Sequence, residues 1–587
     1  MVALRWLLMS LAVAVGCDGS IGFVPAPGAT DGLPPGAGDG SEAGEGAPAG
    51  PAPVVRIESP ARGAFLDAAS TSGIEVTGTV VEGRAVEVRV NGALADLAAD
   101  GTFRFVDAEP KFGVHHLRVE AEDASGRVGS GGLSVLYGTF EPAETRVPDA
   151  LVARVGPSVI SDIALSVRDL VSGVDLEAMV KAQNPVASDW WGTLTVESLS
   201  RGRIRVELDP TTAGLRLVVG IANVDVDLHN DAPGPWNQDG WARADEAILD
   251  GIVDVWATDA GGVGARLVES SVELDGFDFD VAGIEGESLV RGIVGDLIRD
   301  KLEQMVRERV PPLIEDTLSA LDLSRQIEVR GAMLDLDVGL GAVEVDSTGL
   351  ELRADASLTA DENAVVPRAP GTLRTPSEAP ALGSDRLVAS FADDMLDQVL
   401  SAAWSAGMLD LEVPVSSGSG PVTVSLLTLI LPALSGLAPD DAPVIATTDP
   451  LLPPIVTLDA ESATLSIGEL HVILEADTDA GRVPLVTVAL KIDAGLAASF
   501  DDGQVTLSLL GLWFDADPVD SPAGFPEGRE LEDLLQSVVD MMAPDLEGTL
   551  TSVSLPALAG IRLAACDAAA DGAAADYLTI ACDTEHE

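Results

Sequence analysis

Cysteine is almost missing from this chain of 587 residues: there are three, Cys17, Cys566 and Cys582. With none between 18 and 565, no disulfide framework can staple the body of the protein, and no paired zinc spacing can be built. Aromatic residues make up 4%, with two tyrosines, so the cores must be aliphatic. The five histidines, His115, His116, His229, His471 and His586, show no metal-ligand spacing of the H-E-x-x-H kind. Lysine stands only at 111, 181, 301 and 491. Cations of both kinds number 34 against 95 acids, a net charge of −61. Such a chain repels nucleic acid and anionic membrane surfaces, which need clustered cations. There is no G-x-S-x-G elbow, no Walker-type or dinucleotide glycine loop, and no serine set beside a histidine in a recognisable order. A non-enzyme without a cofactor is therefore expected. No hydrophobic run is long and charge-free enough for a transmembrane helix.

What is present is apolar surface in quantity, 47% of residues. The length exceeds what one core can hold, so about three domains plus tails are expected. Residues 1–16 read as a targeting segment: Arg5, then the short apolar run Trp6–Val15. Ala14-Val15-Gly16-Cys17 resembles the bacterial lipobox, which implies cleavage before Cys17 and lipidation of that cysteine. Residues 17–53 continue as a Gly/Ala/Pro tether. The expectation is a bacterial lipoprotein of the cell envelope, anchored to a membrane on its periplasmic or outer-membrane face. Cys566 and Cys582 remain as an even pair in a small-residue tail, 565–587, where one disulfide would close a short loop.

Between these ends, periodicity divides the chain. Residues 54–138 show short alternating runs punctuated by Asn91-Gly92, Asp100-Gly101 and Ser125-Gly126, the pattern of an all-β module. Val90-Asn91-Gly92, Asp100-Gly101-Thr102-Phe103 and Ala121–Gly126 resemble bacterial Ig-like modules, which implies a sandwich used as a spacer or adhesive unit. Two similar halves follow, 148–365 and 383–564, joined by a proline-rich linker at 366–382. Aliphatic residues at helical spacing predict helices over Pro157–Val171, Glu287–Leu321, Asp385–Trp404 and Arg529–Met542. Pro311-Pro312 should kink or break the second of them. Alternating runs predict strands around these helices, including Ile204–Leu208, Leu215–Val219, Val224–Leu228, Val422–Leu427 and Val505–Leu510.

Phe391-Ala392-Asp393-Asp394-Met395-Leu396, Ala403–Leu409, the proline-led strand Pro453–Leu458 and the closing Leu555–Leu558 with Gly560–Leu563 resemble, in that order, the tubular lipid-binding superfamily. Within it, the bactericidal/permeability-increasing and lipid-transfer group is the nearest likeness. The resemblance implies an α+β fold of two elongated barrels, each a twisted antiparallel sheet wrapped on long helices, behind the Ig-like sandwich. It also implies an apolar channel in each barrel that holds a lipid or other acyl-chain ligand and does no chemistry on it. The residues expected to line the channels are Ile163, Val167, Ile293, Leu297, Leu302, Phe391, Met395, Val399, Leu535 and Val539. Two departures from the family stand out: the first barrel has no disulfide, and it is acidic where endotoxin-binding members are basic. An alternative is a structural or adhesive surface protein acting through the Ig-like module. The acid pairs Asp225/Asp227, Asp278/Asp280 and Asp335/Asp337 alternate with Val, Leu and Phe, so they read as solvated strand faces and not as calcium or glycosidase sites.

Overall fold

Alternating aliphatic and polar residues build strands, and strands dominate the computed structural model, with 59% of the described residues in strands and 17% in helices. The structure describes residues 52–520, 553–554 and 561–586, apart from 190–191, 233, 235–236, 282–286, 320–324, 330–331, 361–368, 376, 384–385, 408, 418–419, 460–462 and 502–503. Cys17 and the predicted helix Arg529–Met542, with Leu535 and Val539, lie outside these residues.

The protein is mostly β, and this corrects the expected α+β fold with sheets wrapped on long helices. Five helices are described: α1 (Pro157–Ser172), α2 (Leu176–Lys181), α3 (Glu287–Ser319), α4 (Asp393–Ser405) and α5 (Val424–Ile430). One of them, α3, has 33 residues; the others have 16 or fewer. Strands of up to 21 residues instead bury one another's aliphatic rows, and the helices lie on sheet faces.

Three large sheets form the body. The first half makes a seven-stranded sheet whose main strands are Gly192–Ser200, Gly214–Asp231, Gln238–Ala257 and Val263–Asp275. The second half makes another around Val444–Pro450, Ala463–Thr478, Gly481–Asp501 and Gln504–Asp520. Between them a central sheet runs in the order Arg325–Val329, Ala332–Asp346, Gly349–Ala360, Val147–Val155, Leu387–Ala392, Tyr577–His586, Ile561–Asp571. Ahead of the body, two facing sheets form a sandwich around Ile74, Val88, Leu117, Val119 and Val135.

Four local expectations change. Leu387–Ala392 is a strand and not the start of a helix, because Val147–Val155 and Tyr577–His586 hydrogen-bond to its two edges. Val422–Leu427 is no strand: helix α5 begins at Val424 and buries Val424 and Leu427, three apart, while Leu429 stays 77% exposed. Helix α3 runs unbroken through Pro311-Pro312, with Val310 and Ile314 buried in the first-half core, so packing overrides propensity there. Residues 565–587 are no loose tail. Cys566 and Cys582 face each other in the last hairpin of the central sheet and are joined as a disulfide. The linker is also tied down, since its residues Thr372–Arg374 pair with Thr139–Glu141 of the sandwich.

The sandwich is fixed to the second half. Leu136 packs with Leu373, Leu452 and Ile455, and Phe65 lies against Phe140 and Trp404. Beside this patch Glu469 is 1% exposed. Its carboxylate accepts from Arg62 Nη1 at 2.7 Å and from the Ser134 backbone N–H at 2.6 Å, with His471 Nε2 at 3.2 Å. Asp517 takes the other arm of Arg62 and the Gly132 N–H. Burial alone would raise the Glu469 carboxyl, but the bonds from His471, Arg62 and Ser134 outweigh it and hold the group below the usual carboxylate range.

A second buried polar cluster ties linker, sandwich and central sheet together. Asp393, Asp394 and Asp397 in the first turns of α4 meet Arg374, Thr375, Gln398 and Asp576, all but Thr375 nearly inaccessible to water. Asp397 accepts from the Val456 N–H at 2.8 Å, and Arg374 donates to the carbonyls of Thr145 and Asp394. Burial first, and the Asp394 charge second, push the Asp393 carboxyl up to about 7; burial also raises Asp394 and drives Asp397 well up.

Two outcomes follow. Glu469→Ala leaves Arg62 with Asp517 alone and the buried Ser134 N–H without its acceptor, and should cost about 1–3 kcal/mol, read by urea unfolding, with sandwich and body cleaved apart more readily by a protease. Wild-type retention of both properties would refute the clamp. Because the folded Asp393 carboxyl is raised, its contribution is complete below the ordinary aspartate range and is lost as pH climbs towards 7. Asp393→Asn should therefore flatten the fall of Tm between pH 4 and 8, by the order of a few kcal/mol at about 1.4 kcal/mol per pKa unit. Parallel Tm curves would show that Asp393 is charged in the folded protein.

Candidate functional site

A long strand keeps its aliphatic residues on one face until something shifts its phase. In Gly214–Asp231 the buried positions are Leu215, Leu217, Val219 and Ile221, then Val224, Val226 and Leu228. The phase flips at Asn223, whose φ is +50°, a conformation that asparagine tolerates better than branched residues. The partner strand flips opposite it, from Ala242 and Ala244 to Ala247 and Leu249. The register is the same on both sides, Ala222 opposite Glu246 and Val224 opposite Ala244, so this is an in-register kink at which both strands change the face they bury.

The kinked segment also fixes a loop. Gly202 N–H donates to the Ala222 carbonyl at 2.7 Å, and Ala222 N–H donates to Arg203 O at 3.1 Å. A Cβ on Gly202 would come within 2.8 Å of that Ala222 oxygen, so the close approach needs glycine. The loop sets Arg201, which donates from Nη2 to the Ser172 carbonyl at the end of α1 at 2.6 Å.

Between the bent sheet and helices α2 and α3 lies a cleft. Its walls are Leu176 and Val180 from α2, Leu199, Ile221, Val224 and Ala247 from the sheet, and Ile298 and Leu302 from α3. Arg201 and Lys301 complete the lining. The enclosed space is about 30 Å³, room for a water or two. Among the described residues, neither Arg201 nor Lys301 has a carboxylate within salt-bridge distance; Lys301 Nζ donates to Gln304 Oε1 at 2.8 Å.

Of the ten residues expected to line channels, Leu302 lines this cleft. Ile163 and Val167 are buried in the same first-half core, Leu297 packs partly against it, and Ile293 is half-buried on α3. Met395 and Val399 belong to a different core, beneath the central sheet, and Phe391 packs against that core from strand Leu387–Ala392. Sequence reasoning missed Arg201, Lys301 and the α2 wall. The rarity of lysine, and a lysine between Ile298 and Leu302 in an apolar stripe, were the available signals. Among the described residues, no group of three or more His, Cys, Asp or Glu is arranged to hold a metal ion.

No family model and no curated protein matches this chain. Among solved structures, it is similar to the crystal structure of lipopolysaccharide binding protein, at 15% identity and a TM-score of 0.44 over 75% of this chain and 100% of that one. P47 of Clostridium botulinum E1 matches at 8% identity and a TM-score of 0.23, over 75% of this chain and 100% of its own. P47 from Clostridium botulinum A2 matches at 9% and 0.23, over 74% and 97%. Likenesses this distant say nothing about ligand or activity.

Asn223→Val places a branched side chain at positive φ and should cost about 1–3 kcal/mol, whereas Asn223→Gly should cost less. Equal urea midpoints for the two variants would show that backbone strain is not what makes asparagine suit the kink.

Proposed function

We propose that the protein is a non-catalytic binding protein for amphiphiles, taking an apolar chain into the first-half cleft. Anchored through Cys17 in the cell envelope, it carries or presents that ligand near its membrane. The observation that supports this most is the cleft's make-up: eight aliphatic side chains and no acid, reaching into the core. It is covered on one side by α2, a helix of six residues. An ordinary core closes such a surface with a longer element; here a short one covers it, and displacing α2 from α3 opens the aliphatic wall to a chain. Apolar ligands are held by such walls at roughly 25 cal/mol per Å² removed from water.

The test uses a secreted Cys17→Ser form, so that the anchor contributes no lipid of its own. Native mass spectrometry before and after incubation with phosphatidylethanolamine vesicles or oleate should show a bound species that leaves only on unfolding. Ala247→Phe fills the cleft at a cost of about 1–3 kcal/mol and should remove that species from a protein that still melts cooperatively. A wild-type mass that stays clean throughout would end this reading.

A further inference from the structure

In a chain of net charge −61, a cation with no acid beside it is informative. Most described cations have a carboxylate within 4 Å, from Arg62 with Glu469 to Lys491 with Asp493. Two without one, Arg201 and Lys301, line the same aliphatic cleft from opposite sides, one from the sheet loop and one from α3. Each is held in place by a neutral group that leaves it charged and leaves donors unused. Arg201 spends one donor on Ser172 O, and Lys301 spends one on Gln304 Oε1; an arginine carries five donors and a lysine three. Snorkelling stems that merely cover apolar surface explain one such residue on a wall. They do not explain why two cations that have no carboxylate partner among the described residues line the same small cleft.

Resting on the reading of the cleft as a chain-binding site, we propose that its ligand is a single-chain anionic amphiphile. The carboxylate or phosphate head is held between Arg201 and Lys301, and the chain lies along Ile221, Val224, Ile298 and Leu302. Charge-assisted bonds from both cations to the head are short and strong, and they select an acid over a neutral molecule with the same chain. The scarcity of cations elsewhere leaves an anionic ligand few competing places to bind.

The probes are oleate, oleoyl lysophosphatidic acid and oleyl alcohol, displacing a fluorescent fatty-chain reporter from the Cys17→Ser protein at pH 8.5. At least one of the two acids should bind about ten-fold or more tighter than the alcohol, the size expected of a charge-assisted bond. Which acid wins identifies the head. Lys301→Gln should reduce that preference several-fold. Arg201→Gln with Lys301→Gln should abolish it, so that acids and alcohol bind alike; the single variant decides if the double variant does not fold. Equal affinity of acids and alcohol for the wild type, or a preference that survives in the Lys301 variant and in any folded double variant, overturns the inference and leaves the chain-binding reading standing. No displacement by any of the three overturns both.

Discussion

Everything in the body hangs on the hydrogen bonding of one strand, Val147–Val155. One edge pairs with Gly349–Ala360 from the first half and the other with Leu387–Ala392 from the second. A strand paired on both edges and covered on both faces has nearly continuous burial, as Ala150 to Val155 do. That leaves no room for a free charge, yet Arg154 sits there at 5% exposure. It is neutralised by Asp346 at 3.0 Å and Glu351 at 3.4 Å. Thr348 hydroxyl and N–H first, then Arg154, hold the Asp346 carboxyl down to about 2. The last hairpin, closed by its disulfide, extends the same sheet. The central sheet therefore joins strands of both halves in one hydrogen-bonded ladder.

Long strands need interruptions to do more than fill a core. Asn223 and Glu469 both have positive φ inside strands of the two half-sheets, and both sit where the ladder shifts or skips a partner. At Asn223 the ladder keeps its register and kinks beside the cleft. At Glu469 it shifts register, a bulge that turns a carboxylate out of the second-half core and into the sandwich. A residue at positive φ inside a long strand thus stands beside the candidate site in one half and at the docking point in the other. A docked sandwich is a different object from a bead on a string: its strand Val128–Glu141 also pairs with the linker, so any role it has is played from a fixed position.

Local pattern was legible where one face of an element meets one core. Helix α1 was read to within a residue at its end, and the rows Ile204–Leu208, Leu215–Val219 and Val224–Leu228 all lie in strands. The phase change between the last two rows was present in the sequence, and it marks the kink at Asn223. Pattern failed where an element is buried all round. Leu387–Ala392 followed by α4 is buried along nearly its whole length, Asp393, Asp394 and Asp397 included, and periodicity cannot divide a buried strand from a buried helix. It failed again for the last hairpin, whose alanines carry little signal of either kind. The acidic pairs did behave as solvated faces: Asp225 meets Arg243 at 2.9 Å and Asp337 meets Arg146 at 2.8 Å, on exposed side chains. The cleft was hardest to foresee, because its lining comes from five separate segments, and of the residues expected to line a channel Leu302 alone is among them.

The charge balance gives the remaining argument. Surface ion pairs such as Arg216 with Asp250 are worth about 0–1 kcal/mol, so the many acids are not there to be matched. They keep an aliphatic protein dispersed through mutual repulsion. Against that background cations are committed in three ways. Some are dispersed over the acidic faces. Arg62, Arg154 and Arg374 are taken inside, where each joins segments far apart in sequence. Among the described residues Arg201 and Lys301 do neither, since both are half-buried at an apolar cleft and their hydrogen bonds go to neutral oxygens. On the reading proposed for that cleft, a chain that repels anions over most of its surface would keep anionic surfaces away and draw a single small acid with an apolar tail to the place where two cations meet aliphatic side chains.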